Sequence, residues 1–418
     1  MSDSKKNAPK RRFEEFSNAN DWEQRELDSI FKKIRNAFVG TATPYYVDSG
    51  HFYLESNNIK NGEINRNTEV FINDEFYNKQ SNKLLHTEDI VMVQSGHVGH
   101  TAVIPEELDG TAAHALIMFT DYKDETNPYF LNYQFQTHKS KRKLDTITTG
   151  NTIKHILSSE MKGFIVECPS VEEQQKIGAF FKQLNSTIAL HQRKLEKIKA
   201  LKTAYLSEMF PAEGELKPKR RFAGFTDEWE KRKLRDNGKP FIGLSGKKKE
   251  DFGHGGAKFV TYLNVFNNVI SDLNGTECVE IDRKQTSVNY GDVLFTISSE
   301  TPEDVGLSSI WLGSEMNIYL NSFCFGYRPT AEFDLYYLGF MLRSKLIRKE
   351  IALLAQGVSR YNLSKKKVLD IEVPIPSIEE QIKLGKIFKN IENLITLHQR
   401  KLKKLQNIKK AYLNEMFI

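Results

Sequence analysis

One long segment occurs twice in this chain, and this repeat constrains the fold more than any local motif does. Residues 169–210 and 376–417 align without a gap at an offset of 207, with 24 of 42 positions identical. Both copies contain LHQRKL and end in AYL-x-EMF. A repeat at this spacing is too long for a solenoid. It predicts a duplicated module in which a globular part is followed by a long helix.

Shorter anchors extend the duplication into the globular parts. Between these anchors the two halves differ freely, so a shared frame carries two different surfaces. Such a pattern indicates two related binding sites, each of which recognises a different ligand or sequence. The matched anchors are PKRRF at 9–13 and 218–222, Trp22-Glu23 and Trp229-Glu230, and Gly150-x-Thr152 and Gly357-x-Ser359.

Each repeated segment has the start signal and the periodicity of a long helix. A serine after proline and a glutamate three residues later form a capping box, Ser170 with Glu173 in the first copy. Apolar residues then step by four and three, as in a heptad seam, with one weak layer at Lys202 and Lys409. The predicted helix seam consists of Ile177, Phe181, Leu184, Ile188, His191, Leu195 and Ile198, and of Leu384, Phe388, Ile391, Ile395, His398, Leu402 and Leu405.

Packing the two helices against each other would bury the apolar side chains of both seams at once. One helix leads from the first globular part into the second and the other ends the chain, so we expect an antiparallel pair. On the seam, a register-setting role for His191 and His398 is favoured over a metal or catalytic role. The expected fold class is α+β: two mixed α/β globular parts in a pseudo-twofold arrangement, separated by two long antiparallel coiled-coil helices.

Composition and turn signals set the expected domain boundaries. An apolar content of 39% and an aromatic content of 11% favour a folded chain. The segment PAEGELK is a Pro/Gly break after the first helix. The predicted segments are a disordered basic arm at 1–12, a globular part at 13–168, a central helical spacer at 169–210, a linker at 211–217, a second globular part at 218–375 and a distal helical spacer at 376–418.

Charge and targeting signals narrow the possible functions. The net charge of +6 divides into +3 for 170–210, +5 for 377–418 and −2 for the remainder, so total charge does not argue for nucleic-acid binding. The sequence has no apolar run of about 18 residues, and its first residues lack the apolar core of a secretory signal. Three scattered cysteines without C-x-x-C spacing favour a reducing cytoplasm over disulfides or structural zinc.

Sequence motifs for catalysis are incomplete. The NPYF segment at 127–130 resembles the N-P-P-[YF] loop of amino-methyltransferases but lacks the second proline, so a helix start is favoured. His97 and His100 lie close together, but their counterparts in the second half are Asp304 and Leu307. A two-fold enzyme is expected to keep its catalytic groups in both halves. We therefore predict no catalytic residue, no cofactor-binding residue and no metal ligand on this chain.

Basic and hydroxyl side chains recur near the glycine-bounded loops of both halves. Such groups suit phosphate contacts, which position a protein on DNA, while neighbouring variable side chains read base edges. For any single residue, a solvated helix face is the alternative. The DNA-binding candidates are Lys139, Lys141, Arg142, Lys143, Thr152 and Lys154, and Lys345, Arg348, Ser359, Arg360, Tyr361 and Lys365.

Together these features resemble the specificity (S) subunit of type I restriction–modification enzymes. The resemblance covers essentially the whole chain and rests on PSVEEQQKI and PSIEEQIKL, on the repeated PKRRF…WE, and on GDVLF at 291–295. It implies that 13–168 and 218–375 are target recognition domains, each reading one half of a bipartite DNA sequence. It also implies that the paired helices fix the gap between the halves and dock two modification (M) subunits.

The resemblance assigns the chemistry to partner subunits. The M subunits of that family carry S-adenosylmethionine and methylate adenine; restriction (R) subunits, where present, use ATP and Mg²⁺. The chain is then expected to bind double-stranded DNA, two M subunits and, in some systems, two R subunits. It is expected to hold no cofactor of its own and to bind no membrane. Two other classes stay open. Cofactor binding by the isolated chain would reveal a stand-alone DNA methyltransferase, and a coiled-coil scaffold would have no DNA role.

Overall fold

The computed structural model describes residues 7–150 and 154–418, which form two compact units. Unit 1 comprises the chain up to Gln192 together with 400–418, and unit 2 comprises 193–399. Each unit therefore holds one globular part, the beginning of the long helix that follows it, and the end of the other long helix.

The globular part of unit 1 is built on an antiparallel four-stranded sheet. The strands of this globular part, in all its sheets, are β1 (Glu23–Glu26), β2 (Phe31–Asn36), β3 (Tyr46–Val47), β4 (His51–Leu54), β5 (Ile59–Lys60), β6 (Glu63–Ile64), β7 (Phe71–Ile72), β8 (Ile90–Val93), β9 (Thr101–Val103), β10 (Ala112–Ala113), β11 (Leu116–Tyr122) and β12 (Ile165–Cys168). Its helices are α1 (Leu27–Ile30), α2 (Asp74–Lys79), α3 (Pro128–Phe135), α4 (His138–Ile147), α5 (Ser158–Lys162) and the first part of α6 (Val171–Glu208). The sheet order is β2-β11-β8-β9, and a second four-stranded sheet, with shorter strands, is ordered β10-β4-β7-β3.

Unit 2 repeats this plan with different loops. Its strands are β13 (Glu230–Lys233), β14 (Gly238–Ile242), β15 (Phe252–Val260), β16 (Thr276–Val279), β17 (Val293–Thr296), β18 (Ser298–Ser299), β19 (Ser308–Ile310), β20 (Ile318–Leu320), β21 (Cys324–Pro329), β22 (Tyr361–Asn362) and β23 (Glu372–Ile375). Its helices are α7 (Tyr262–Asn267), α8 (Leu335–Leu342), α9 (Lys345–Leu353), α10 (Lys365–Leu369) and the first part of α11 (Ile378–Glu415). The sheet order β14-β21-β17-β19 corresponds to that of unit 1, and a second sheet is ordered β16-β15-β20.

Strands β8 and β17, which are mostly apolar in sequence, lie inside the main sheet of their unit. All four residues of β8 (IVMV) and all four of β17 (VLFT) are buried, as expected for strands covered on both faces. Capping side chains start the short helices α3 and α8. Asn127 caps α3 by accepting a hydrogen bond from the Phe130 amide at 2.9 Å, and Asp334 caps α8 in the same way. The prediction that the NPYF segment opens a helix is therefore confirmed.

The repeated PKRRF motif fastens each globular part to the start of its long helix. Arg12 donates two hydrogen bonds, of 2.7 and 2.6 Å, to the carboxylate of Glu173. Arg221 binds Glu380 in the same way at 2.8 Å, and both carboxylates are buried. The predicted capping box is thus only half formed. Ser170 accepts from the Glu173 amide at 3.4 Å, but the glutamate side chain is committed to arginine.

The prediction of a disordered arm over 1–12 is corrected from residue 7 onward. Asn7 is hydrogen-bonded to the loop that precedes β1, and Arg11 forms an ion pair of 2.7 Å with Glu415 near the end of the chain. The carboxylate that binds Arg11 lies far away in the sequence, so local composition does not reveal this contact. Residues 1–6 lie outside the described residues.

The shared E-E-Q-x-K-x-G pattern brings α6 against the start of α3 and α11 against the start of α8. Gln174 accepts a hydrogen bond from the Asn127 amide at 3.1 Å. A Cβ at Gly178 would lie 2.4 Å from Asn127 Oδ1, so only glycine allows this close approach. The corresponding residues of unit 2 are Gln381, Asp334 and Gly385.

Within unit 2 the paired segments of α6 and α11 are antiparallel. Lys202 forms an ion pair with Glu392, and eight residues further along the chain, just after α6, the ring of Phe210 packs on Phe388 at 5.6 Å. Residue numbers therefore rise along one helix while they fall along the other.

In unit 1 the residues that follow α11 complete the core of the globular part. Phe417 packs against Trp22, Phe130 and Phe181, with ring centroids 5.4–6.2 Å apart. In unit 2, Phe210, two residues after α6, packs in the corresponding way against Trp229, Tyr337 and Phe388. The fourteen residues of the predicted helix seam are all buried or half-buried.

Candidate nucleic-acid interface

Unit 1 has a polar cleft between α4 and the loop that joins β8 to β9. The cleft has a volume of about 350 Å³. Gly99 in this loop has φ +81°, and a Cβ there would approach the side chain of Leu144 on α4 to 3.0 Å. Glycine therefore lets the loop pack closely on the helix. The polar side chains lining the cleft are Asn61, His97, His100, Thr101, Gln136, Lys141, Asp145, Thr148 and Lys154.

The cleft loop is joined to the segment that precedes α5. The Gly96 amide donates to the carbonyl of Lys154 at 3.2 Å, and the Ile156 amide donates to Gln94 at 2.9 Å. Lys154 also forms an ion pair of 3.1 Å with Asp145 of α4. Two of the DNA-binding candidates, Lys141 and Lys154, are thereby brought to one surface. Thr152 lies outside the described residues.

Unit 2 joins the corresponding two loops by a short antiparallel sheet. Strand β18, which follows β17, pairs with β22 through Ser298 and Asn362. The guanidinium of Arg360 donates to Ser298 Oγ at 3.3 Å and lies 5.6 Å from the ring centroid of Phe323. Val358, two residues before, is 94% exposed. The frame is therefore the same as in unit 1, while the side chains that it presents are different.

Helix α4 separates the basic candidates of unit 1 into two groups. Lys139 and Lys143 both bind the buried carboxylate of Glu167 on β12, at 2.7 and 3.2 Å. They lie one turn apart on one face, whereas Lys141 lines the cleft. The structure thus gives Lys139 and Lys143 a role in fastening α4 to β12. Arg142 is exposed on the same helix.

Arg348 in unit 2 binds backbone carbonyl groups, and its predicted DNA contact stays a prediction. Its guanidinium donates to the carbonyls of Glu303 and Val305, both at 2.6 Å, and of Gly306 at 2.9 Å. Burial lowers its pKa to about 10, so the side chain stays protonated at neutral pH. Of the other candidates, Lys345, Ser359 and Arg360 are exposed, and Tyr361 and Lys365 are half-buried.

Sequence reasoning set aside two histidines that the structure places in the unit 1 cleft. The rings of His97 and His100 are 6.2 Å apart. Burial, followed by the positive charges of Lys141 and neighbouring groups, lowers the pKa of His100. His100 is therefore mostly neutral near pH 7; its Nδ1 accepts a hydrogen bond from the Asn61 amide at 3.5 Å, which leaves Nε2–H as a donor. The signal for this site was the proximity of His97 and His100 to glycines, which alone does not distinguish a ligand-binding loop from a structural turn.

Among the residues that the structure describes, no group of three or more His, Cys, Asp or Glu side chains could hold a metal ion. None of the helices there is long and apolar enough to cross a membrane.

Comparison with known families identifies the repeat. The family described as type I restriction modification DNA specificity domain matches residues 19–200 and again 226–407. This chain belongs to that family. Each match contains one globular part and most of the long helix that follows it, so the two matches coincide with the internal duplication.

Relatives of this specificity-domain chain have similar length and architecture. The type I restriction enzyme MjaVIII specificity subunit of Methanocaldococcus jannaschii is 19% identical over 429 aligned residues, covering 94% of this chain and 91% of that protein. The crystal structure of a type I restriction–modification S subunit from M. genitalium has a TM-score of 0.63 at 15% identity, with 98% and 99% of the two chains covered. A chain from a structure of type I R-M complex assembly has a TM-score of 0.52 at 15% identity, with 95% and 97% covered. These structures show that the fold is shared.

Proposed function

We propose that this chain is the DNA-recognition subunit of a type I restriction–modification complex. The observation that carries the proposal is the pair of joined loops, which occurs at the same place in both units with different side chains. A common frame with two different surfaces suits a bipartite target whose halves differ in sequence. The double match to the specificity-domain family supports the same function.

Unit 1 would read its half-site with the cleft between α4 and the β8–β9 loop. Lys141 and Lys154 supply positive charge for the phosphate backbone. His97 and His100 are the residues that we assign to base contacts, because an imidazole can donate to or accept from a base edge. Their counterparts Asp304 and Leu307 cannot make the same contacts, so the two units would read different sequences.

Unit 2 would read the other half-site with the loop that precedes β22. Arg360 is held beside Ser298 and Phe323, and its planar guanidinium suits both phosphate and guanine. Val358 and Phe323 are exposed apolar side chains, at 94% and 55%, and they suit contact with thymine methyl groups. Ser359 and Tyr361 add hydroxyl donors to the same loop.

The two long helices would set the distance between the half-sites and bind the partner subunits. Two linked weak binding events become one tight event when the spacing matches the target. The proposed partners are two M subunits, which carry S-adenosylmethionine and methylate adenine, and R subunits with ATP and Mg²⁺ where the system cleaves DNA. In this assignment the chain selects the target and the partners carry out the chemistry.

Deleting and restoring the gene tests the proposed function. Genome-wide mapping of methylated adenine in the source strain should show one split motif that disappears on deletion and returns on restoration. An unchanged methylation pattern, with the partner M subunits present, would reject the recognition role. Binding of S-adenosylmethionine by the isolated chain would instead support a stand-alone methyltransferase.

A further inference from the structure

Each unit contains a cleft between its globular part and the helices, and a repeated lysine lies at its centre. The cleft has a volume of about 710 Å³ in unit 1 and about 440 Å³ in unit 2. Lys409 lies in the first and Lys202 in the second, 207 residues apart, at the weak layer of the seam. Their ammonium groups are each 5.6 Å from an aromatic ring centroid, of Tyr133 and Phe340 respectively. The two clefts therefore share the same geometry around the lysine.

The charge of the lysine is compensated differently in the two units. In unit 2 Lys202 forms an ion pair with Glu392. The position equivalent to Glu392 at the repeat offset is Asn185, which donates to the Tyr133 hydroxyl at 3.1 Å. Lys409 donates to two neutral oxygens, the carbonyl of Asn61 at 3.4 Å and the side chain of Gln136 at 3.2 Å. Unit 1 thus has an amide where unit 2 has the neutralising carboxylate.

The surroundings of Lys409 favour binding of an anion. Burial lowers its pKa to about 8, with Lys141 adding to this effect and Glu63 opposing it. Lys141 and Lys410 line the same cleft, and Glu63 is the carboxylate among its described lining residues. A partly desolvated ammonium next to neutral oxygens gains more from an incoming anion than an ammonium that is already paired.

We propose that the unit 1 cleft is a phosphate-binding subsite for the DNA backbone, with Lys409 at its centre and Lys141 and Lys410 at its rim. Unit 2 lacks this contact because the carboxylate of Glu392 already neutralises Lys202. The proposal rests on the proposed function, since it assigns one phosphate of the bound DNA to unit 1.

Two observations favour DNA over a partner protein in this cleft. Two identical M subunits would need the same surface in both units, whereas the charge at this position differs between Asn185 and Glu392. The unit 1 cleft also shares Asn61, Gln136 and Lys141 with the cleft that contains His97 and His100. A phosphate at Lys409 would therefore lie beside the bases read by the same unit.

The substitution Asn185→Glu tests the subsite because it gives Lys409 the carboxylate that Lys202 already has. With the full chain bound to its M subunits, affinity for the target duplex should fall about tenfold at ~0.1 M salt, as expected for one charged contact. The slope of log affinity against log salt should decrease in magnitude by about 0.9. Asn185→Gln is the neutral control and should keep both the affinity and the slope of the wild type.

Duplexes with single methylphosphonate linkages locate the phosphate. Removing one particular charge in the half-site of unit 1 should weaken wild-type binding about tenfold and leave Asn185→Glu binding unchanged. Wild-type affinity and salt slope in Asn185→Glu would overturn the proposal. Loss of M-subunit binding with an unchanged DNA salt slope would overturn it too, and would assign the cleft to a partner carboxylate. Equal binding of target and scrambled duplexes by the wild-type complex would instead reject the DNA-recognition function itself.

Discussion

Replacing Arg221 with alanine should lower the thermal stability of unit 2, because it leaves a buried carboxylate without its cation. The Glu380 side chain is 1% exposed and accepts two hydrogen bonds of 2.8 Å from Arg221 and one of 3.0 Å from the Trp229 indole. Removing one partner of a buried ion pair costs about 3–5 kcal/mol. The indole still binds the carboxylate, so we expect about 3 kcal/mol. In a unit of this size, that corresponds to about 6–12 °C in melting temperature.

The adjacent arginine provides a matched control. Arg220 pairs with Glu208 at 2.7 Å, but the two side chains are 55% and 38% exposed. Its replacement by alanine should therefore cost less than about 1 kcal/mol. The double variant Arg221→Ala with Glu380→Gln should recover most of the loss, because glutamine carries no charge. Scanning calorimetry of the full chain measures all three variants. Equal effects of the two arginine substitutions, or no recovery in the double variant, would refute the buried-charge explanation.

Three further predictions concern pH, DNA affinity and spacing. Burial raises the pKa of Asp89 to about 6, above the value near 3.9 in the unfolded chain. The protonated Asp89 side chain therefore contributes its full stability below pH ~4, and this stability is lost as the pH rises through 6. Asp89→Asn should therefore stabilise unit 1 by about 2–3 kcal/mol at pH 8 and have little effect at pH ~4 in denaturant titrations. Arg360→Ala should weaken DNA binding and reduce the log–log salt slope by about 0.9; a wild-type slope would remove Arg360 from the interface. Inserting one heptad into the first long helix should shift the gap in the methylated motif or abolish binding, and an unaltered gap with intact affinity would reject the spacing role of the helices.

Periodicity and repetition made much of the fold predictable from sequence. The heptad steps and the repeated helix starts both depend on neighbours along the chain, which sequence patterns describe well. Long-range pairs were not predictable in this way. Arg12 binds Glu173, which is 161 residues away in the sequence. The sequence therefore shows that PKRRF is repeated but does not show which residue its arginine binds. The same long-range contacts order residues 7–12, which local composition assigned to a disordered arm.

The candidate site was harder to predict because a basic residue type does not specify where its charge is used. Lys139 and Lys143 bind a buried carboxylate, and Arg348 binds carbonyl oxygens, whereas Lys141 and Arg360 lie beside loops that remain accessible. Burial and the direction of each side chain decide between these roles, and both depend on tertiary structure. Whether the accessible residues contact DNA remains a prediction.

Mapping methylated adenine in strains that carry loop variants would test whether each unit reads one half of the target. One variant has His97→Ala and His100→Ala in unit 1, and the other has Val358→Ala and Arg360→Ala in unit 2. We expect the first to relax base preference in one half of the motif only, and the second to relax it in the other half only, with the gap unchanged in both. Relaxation of the same half by both variants, or an unchanged motif in both, would show that these loops do not divide the recognition of the target between the two units.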